Sequence, residues 1–116
     1  MESRPVMVVV TRAEEVGMHA RVTMISGSPD QAEQGIASFR DDTLPAIKEE
    51  VGGRGGVLLI DRESGNAMAI TLWEDEAAMR ASEERANELR RTASEELGAT
   101  EQPRVERYEV AVFDKS

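Results

Sequence analysis

The chain holds one tryptophan, Trp73, and one histidine, His19. Trp73 ends an apolar stretch and stands directly before an acidic helix start, Glu74-Asp75-Glu76. An indole in that position can stack on a flat ligand, or fill a core or an interface. His19 opens a strand-like stretch, and an imidazole can serve as a general base near neutral pH. Nothing in the sequence pairs it with an orienting carboxylate. Glu74-Asp75-Glu76 and Asp41-Asp42 offer oxygens suited to hard metals, but neither has calcium-loop spacing. The first cluster also sits where a helix dipole welcomes negative charge. The run Gly52-Gly53-Arg54-Gly55-Gly56 feeds a strand, whereas a phosphate cradle feeds a helix N-terminus. Ser26-Gly27-Ser28 lacks the flanking glycines of a nucleophile elbow, and no second histidine completes a triad. Met24, Met68 and Met79 suit a plastic apolar lining or a core. No catalytic residue follows from these patterns.

Composition narrows the chemistry further. The 116 residues make one domain on the usual scale. Hydrophobic residues are 40% and charged residues 32%, a folded composition rather than a disordered one. The formal net charge of −9 argues against nucleic acid as a partner, because a polyanion is bound through clustered Lys and Arg. There is no cysteine, which excludes disulfides, thiolate metal sites, iron–sulfur clusters and thiol nucleophiles. With a single histidine, a multi-His metal site needs a second chain. No metal and no cofactor are expected. No stretch approaches the roughly 20 apolar residues of a membrane span. The apolar run Val6 to Val10 is too short for a signal peptide and passes at once into Thr11 and Arg12. The expectation is a cytoplasmic protein without membrane contact.

The elements that must carry these residues are legible from periodicity and punctuation. Val6 to Thr11 is β-branched and strand-like. His19 to Ser26 alternates Ala20, Val22 and Met24 with Arg21, Thr23 and Ile25. Ser28-Pro29-Asp30-Gln31 is a helix start with a candidate capping box. Ala32, Ile36, Phe39, Thr43, Ile47 and Val51 follow at helical spacing, and Pro45 predicts a kink or break near Thr43–Leu44. The glycine run ends that helix. Val57 to Asp61 and Ala67 to Trp73 form a hairpin around Arg62 to Asn66. A second helix starts at Glu74 or Asp75 and carries a stripe of Met79, Ser82, Ala86, Leu89, Ala93 and Leu97. Gly98 supplies its left-handed cap. Arg104 to Phe113 is the last strand.

From His19 onward the order is strand, helix, strand, strand, helix, strand. This is the ferredoxin-like βαββαβ plan, α+β, with a four-stranded antiparallel sheet and two helices on one face. Residues 1–17 are expected to form an N-terminal extension whose strand adds to a sheet edge, in its own subunit or in the partner, and residues 18–116 to form the domain. The strands carry apolar residues on both faces, so the second face needs a cover. The simplest cover is a second copy of the sheet in a two-fold homodimer, through the face carrying Ala69, Thr71 and Trp73.

The stretch from His19 to Phe113 resembles the antibiotic biosynthesis monooxygenase type of dimeric α/β-barrel protein. The resemblance rests on Ser28-Pro29-Asp30, Leu44-Pro45-Ala46 and the glycine turn before Val57-Leu58-Leu59-Ile60. Leu72-Trp73-Glu74-Asp75-Glu76-Ala77-Ala78-Met79 and the closing Val105-Glu106-Arg107-Tyr108-Glu109-Val110 also carry it. It implies sheets paired across a dimer, and for some members oxidation of polyketide-like aromatics with oxygen and no cofactor. Other members degrade haem with an Asn on the first strand, a Trp at the end of the third and a His on the second helix. Trp73 matches that Trp. No Asn lies between His19 and Ser26 and no His between Glu76 and Leu97, so the haem pattern is not met. Arg54 stands where the family usually has an aromatic after its turn glycine.

The reading that follows is a cofactor-independent monooxygenase acting on a small aromatic or polyketide-like substrate. The alternative is a non-catalytic small-ligand-binding or assembly module of the same fold. In either case the expected ligand is small and apolar or aromatic. Its expected pocket lies beside Trp73, within reach of Phe39 and Met68, with Arg54 as the candidate cation.

Overall fold

The computed structural model describes residues 17–99 and 101–114. Four strands, β1 (His19–Ile25), β2 (Gly53–Ile60), β3 (Ala67–Trp73) and β4 (Arg104–Glu109), form one antiparallel sheet in the order β2-β3-β1-β4. Between β1 and β2 run α1 (Ala32–Ser38) and α2 (Leu44–Glu49). Between β3 and β4 run α3 (Glu76–Ala81) and α4 (Glu83–Glu96). All four helices lie on one face of the sheet, as the ferredoxin-like plan requires. The expected strand from Val6 to Thr11, and its pairing at a sheet edge, lie outside the described residues.

Pro45 does not break the first helix. A π-helical turn, Phe39–Thr43, joins α1 to α2, and Pro45 occupies the first turn of α2. Proline removes one donor and crowds the carbonyl four residues back, so widening the preceding turn relieves both conflicts without ending the helix. Ser28 takes the extended backbone of an N-cap, but its hydroxyl makes no capping bond. Its backbone N–H instead donates to the Leu97 carbonyl at 2.7 Å. Asp75 caps α3 as its position suggests, accepting from the Ala78 amide at 2.8 Å.

Two strand boundaries differ from the periodicity reading. β2 begins at Gly53, so most of the glycine run is strand. Gly53 pairs with Trp73, and a bulge separates it from Gly55. A β-carbon on Gly53 would overlap the Ile47 carbonyl, so only glycine lets α2 end against the sheet here. β4 stops at Glu109 rather than Phe113, since it pairs with β1 alone and β1 starts at His19. One further bond, from the Val110 amide to the Met18 carbonyl, closes the ladder.

Sidedness is the main correction. The face carrying Ala67, Ala69, Thr71 and Trp73 lies beneath the helices, and Trp73 is 2% exposed. Trp73 packs with Ile47 and Met79, and a second cluster gathers Ile25, Ala67 and Leu97. The opposite face, left uncovered among the described residues, carries Met68, Ile70 and Leu72 instead. Register places Leu59, Met68, Met24 and Arg104 in one row across the sheet, and Val57, Ile70, Val22 and Glu106 in the next. Val57 and Leu59 are among the most exposed large apolar residues described. The interface expected through Ala69, Thr71 and Trp73 is therefore ruled out by the helices that cover those residues.

The Gly53 contact can be checked directly. Gly53→Ala is expected to cost about 2 kcal/mol, the usual penalty of overpacking against fixed backbone. Urea unfolding should show a lower midpoint with unchanged slope.

Candidate functional site

On β1 the side chains of Arg21, Thr23 and Ile25 turn toward the helices. Arg21 is only 3% exposed, which for a guanidinium demands partners. Its Nη2 lies 2.6 Å from the Met79 carbonyl oxygen, 3.1 Å from Ser82 Oγ and 3.1 Å from Glu83 Oε2. Two hydrogens are thus shared among three acceptors. The guanidinium carbon stands 5.4 Å from the centroid of the Trp73 ring, within cation–π range. Trp73 Nε1 donates to Thr71 Oγ1 at 3.0 Å, which holds the indole plane in place.

The break between α3 and α4 has its origin here. Ser82 leaves helical geometry, with φ −94° and ψ 4°. Its hydroxyl donates to the Met79 carbonyl at 2.7 Å. That carbonyl is also the strongest acceptor for Arg21, so the helix yields at the point where it receives the buried cation. Glu83 follows at once and is shared with β4. Arg107 donates to both of its oxygens at 2.8 Å. The Arg107 hydrogen bonds, joined by those of Arg21 and by both positive charges, hold the Glu83 carboxyl down to about 2. Burial pushes the Arg21 guanidinium below its ordinary range, while Glu83 pulls it back up.

Beside this cluster, between sheet and helices, lies a cavity of about 60 Å³. Arg21, Thr23, Ile25, Ala69 and Thr71 form its floor. Phe39, Thr43, Ile47, Ala86, Leu89, Arg90 and Ala93 form its roof. A second void of about 20 Å³ touches Trp73, Ile47, Ser82 and Leu89. On the outside, a cleft of about 460 Å³ runs past Asn87, Arg90, Arg91, Ser94 and Gln102. Arg90 borders both the cleft and the inner cavity.

The expected ligand residues fall in three places. Phe39 lines the cavity, and Trp73 stands behind Thr71 at its side. Met68 is on the opposite, uncovered face of the sheet. Arg54 lies at the bulge of β2, half-exposed, and donates to Glu74 Oε1 at 3.0 Å. His19 is not a lining residue; its Nδ1 is 3.2 Å from the Gly17 carbonyl oxygen. Among the described residues no group of three or more His, Asp or Glu side chains is placed to hold a metal ion. Arg21, Arg90 and Glu83 carry no distinguishing spacing in the sequence, and Thr71 stands out only as part of a strand face. The available signal was a charged residue inside a strand whose neighbours on that face, Thr23 and Ile25, are not charged.

Glu83 makes stability depend on pH. Its carboxyl titrates near 2 in the folded chain against an ordinary value of 4.5. The stabilisation it gives is complete above the ordinary value and is lost as pH falls through the folded one. Wild type should therefore lose stability between about pH 4.5 and pH 2. Glu83→Gln should be clearly less stable than wild type at pH 7, with the gap closing across that acid window. Thermal melts of both proteins at a series of pH values check this.

No protein-family model matches the chain. Two uncharacterised proteins of Mycobacterium tuberculosis strain H37Rv, Rv2557 and Rv2558, are 37% and 39% identical over 98 residues, 84% of this chain. The chain spans only 43% and 41% of their lengths. Among solved structures, the Streptomyces coelicolor monooxygenase from ActVA-Orf6, in complex with nanaomycin D, superposes with a TM-score of 0.67 at 20% identity. That match covers 88% of this chain and 94% of the other. SnoaB, a cofactor-independent oxygenase of Streptomyces nogalater, gives a TM-score of 0.61 at 20% identity over 84% of this chain and 96% of its own. A structure from Caulobacter crescentus named for the antibiotic biosynthesis monooxygenases gives 0.60 at 16% identity, covering 87% and 96%. With its sheet order, its helices on one face and these superpositions, the described chain has the antibiotic biosynthesis monooxygenase-type fold.

Proposed function

We propose that this chain binds a small apolar or aromatic molecule in the cavity between helices and sheet, and acts on it as a cofactor-independent monooxygenase. The observation that carries this reading is the buried Arg21 guanidinium on the floor of a cavity whose other lining is apolar side chains, threonines and Arg90. An oxygenase without cofactor must draw electrons from the substrate itself. An electron-rich aromatic gives them up most readily as its oxyanion, and a fixed cation beside the ring stabilises that form. Phe39, Ile47 and Leu89 supply apolar contact area. The solved monooxygenases of this fold support the assignment, and the substrate class remains that of a small aromatic or polyketide-like molecule.

One observation favours the second reading, a non-catalytic binding module. The cavity lining contains no histidine and no carboxylate, so it has no evident group to take a proton. Oxygen uptake separates the two. With anthrones and hydroquinones as substrates, the wild-type protein should raise uptake above the buffer rate. Ala93→Leu, which fills part of the cavity, should lower the protein-dependent rate at least about tenfold while retaining cooperative melting. Ligand-induced quenching of Trp73 without oxygen uptake would establish the binding module instead.

The working unit of this proposal is a homodimer. The uncovered sheet face presents Val57, Leu59, Met68, Ile70, Val22 and Met24, a contiguous apolar surface flanked by Tyr108. A second copy of the same face covers it with apolar side chains in two-fold symmetry. No described helix is long and apolar enough to cross a membrane, and the absence of cysteine suits the cytoplasm as the compartment. Light scattering at micromolar concentration should give twice the chain mass. Leu59→Glu, at a residue already half-exposed, should give the single-chain mass with its circular dichroism unchanged.

A further inference from the structure

We propose that the inner cavity recognises a carboxylate, held between the guanidinium groups of Arg21 and Arg90, so that its ligand is a small aromatic acid. This rests on the binding site proposed above and specifies what that site selects.

Two donors point to an anion. Among the described residues, Arg21 Nε and Arg90 Nε are both shut off from water and have no hydrogen-bond partner. Buried donors without acceptors are rare, and each marks a guanidinium whose hydrogen-bonding capacity the fold leaves unused. Both residues line the same cavity, Arg21 from the floor and Arg90 from the roof. A carboxylate offers two oxygens in one plane, which is the acceptor that guanidinium groups match best.

The local charge agrees. Arg21, Arg107 and Arg90 lie around a single carboxylate, Glu83. Arg107 takes both Glu83 oxygens, and Arg21 shares one of them. No carboxylate among the described residues pairs with Arg90 within salt-bridge distance. Its Nη1 donates to the amide oxygen of Asn87 at 2.6 Å. The cluster therefore carries an excess of positive charge inside a chain of net charge −9. Burial and the Arg21 charge both press the Arg90 guanidinium below its ordinary range. An anion between the two would relieve that repulsion.

Size sets the rest of the ligand. A volume of about 60 Å³ admits the acidic end of a ligand, whose remaining rings extend toward the cleft at Arg90. Phe39 and Leu89 stand where a single ring would pack. Arg90 also borders the outer cleft, so an acid entering from that cleft meets this guanidinium first.

Benzoate and its uncharged isostere benzamide are suitable probes, read by Trp73 fluorescence and by melting temperature. Benzoate should bind at least about tenfold more tightly than benzamide. Arg90→Gln should weaken benzoate by a similar factor and leave benzamide unchanged. Arg91→Gln, its neighbour in the outer cleft, should change neither by more than about twofold. If benzamide binds as well as benzoate, the carboxylate clamp is overturned while the apolar site stands. If benzoate binds more tightly but Arg90→Gln does not weaken it, the anion sits elsewhere and the clamp is again overturned. If neither probe binds, the clamp and the apolar site fail together. Arg90 is only partly buried, so its substitution leaves a protein that can be assayed even where Arg21 variants do not fold.

Discussion

One buried guanidinium organises the helix-covered side of this molecule. Taking Arg21 out of water is expensive, and only several good partners at once make it tolerable. They come from the second half of the chain. Trp73 at the end of β3 provides its ring face, and the α3 carbonyl of Met79 provides the shortest bond. Ser82 and Glu83 at the α3–α4 junction provide the remaining acceptors. Arg107 on β4 then fixes Glu83 from the far side. The position of the second helix pair over the sheet, its break at Ser82 and the orientation of the indole are consequences of satisfying one cation. Removing a partner from such a cluster strands the charge, at a cost of about 3–5 kcal/mol in comparable buried pairs.

The first helix pair meets the same side under a different constraint. Here the requirement is close approach rather than charge. Gly53 allows α2 to end against β2, and its pairing with Trp73 brings that strand to the same edge of the site. The π-helical turn before Pro45 lets the helix continue while Phe39 faces the sheet. Phe39 and Ile47 thereby roof the cavity whose floor holds Arg21 and Thr71. The void that remains is small because two independent constraints, one ionic and one steric, draw the helices onto the sheet.

Element order was readable in the sequence because it is set by local chemistry. Asp75 as a cap, Gly98 in its left-handed conformation (φ 68°) and the hairpin around Gly65 all act within a few residues of themselves. Sidedness was not readable. Alternation divides β1 into Ala20, Val22, Met24 and Arg21, Thr23, Ile25, and ordinary expectation sends the set with the charge to solvent. The structure does the opposite, since the acceptors for Arg21 come from residues about sixty positions later, amid many other charges. The same distance hid the site. Trp73 and Phe39 stand out by their rarity, whereas Arg21, Arg90 and Glu83 are three charges in a chain with 37. Arg54 drew attention through its glycine-rich turn, yet a turn says little about which side of a sheet a side chain reaches.

Net charge and local charge also answer different questions. The chain total of −9 governs what approaches from bulk water, where screening averages over the surface. Inside the cavity the sign is set by the few groups that line it, because close charges there are screened less than on the surface. Those groups are Arg21 and Arg90, with threonines and apolar side chains for the rest. An acidic surface over a cationic interior discourages large polyanions outside and leaves a small anion to be held within. The sheet then separates two tasks by simple alternation along β1. Arg21 and Thr23 face the cavity, while Ala20, Val22 and Met24 face the apolar surface opposite. Under the proposed function, adjacent residues serve recognition on one side and assembly on the other. A change of register by one position would exchange the two sets and abolish both.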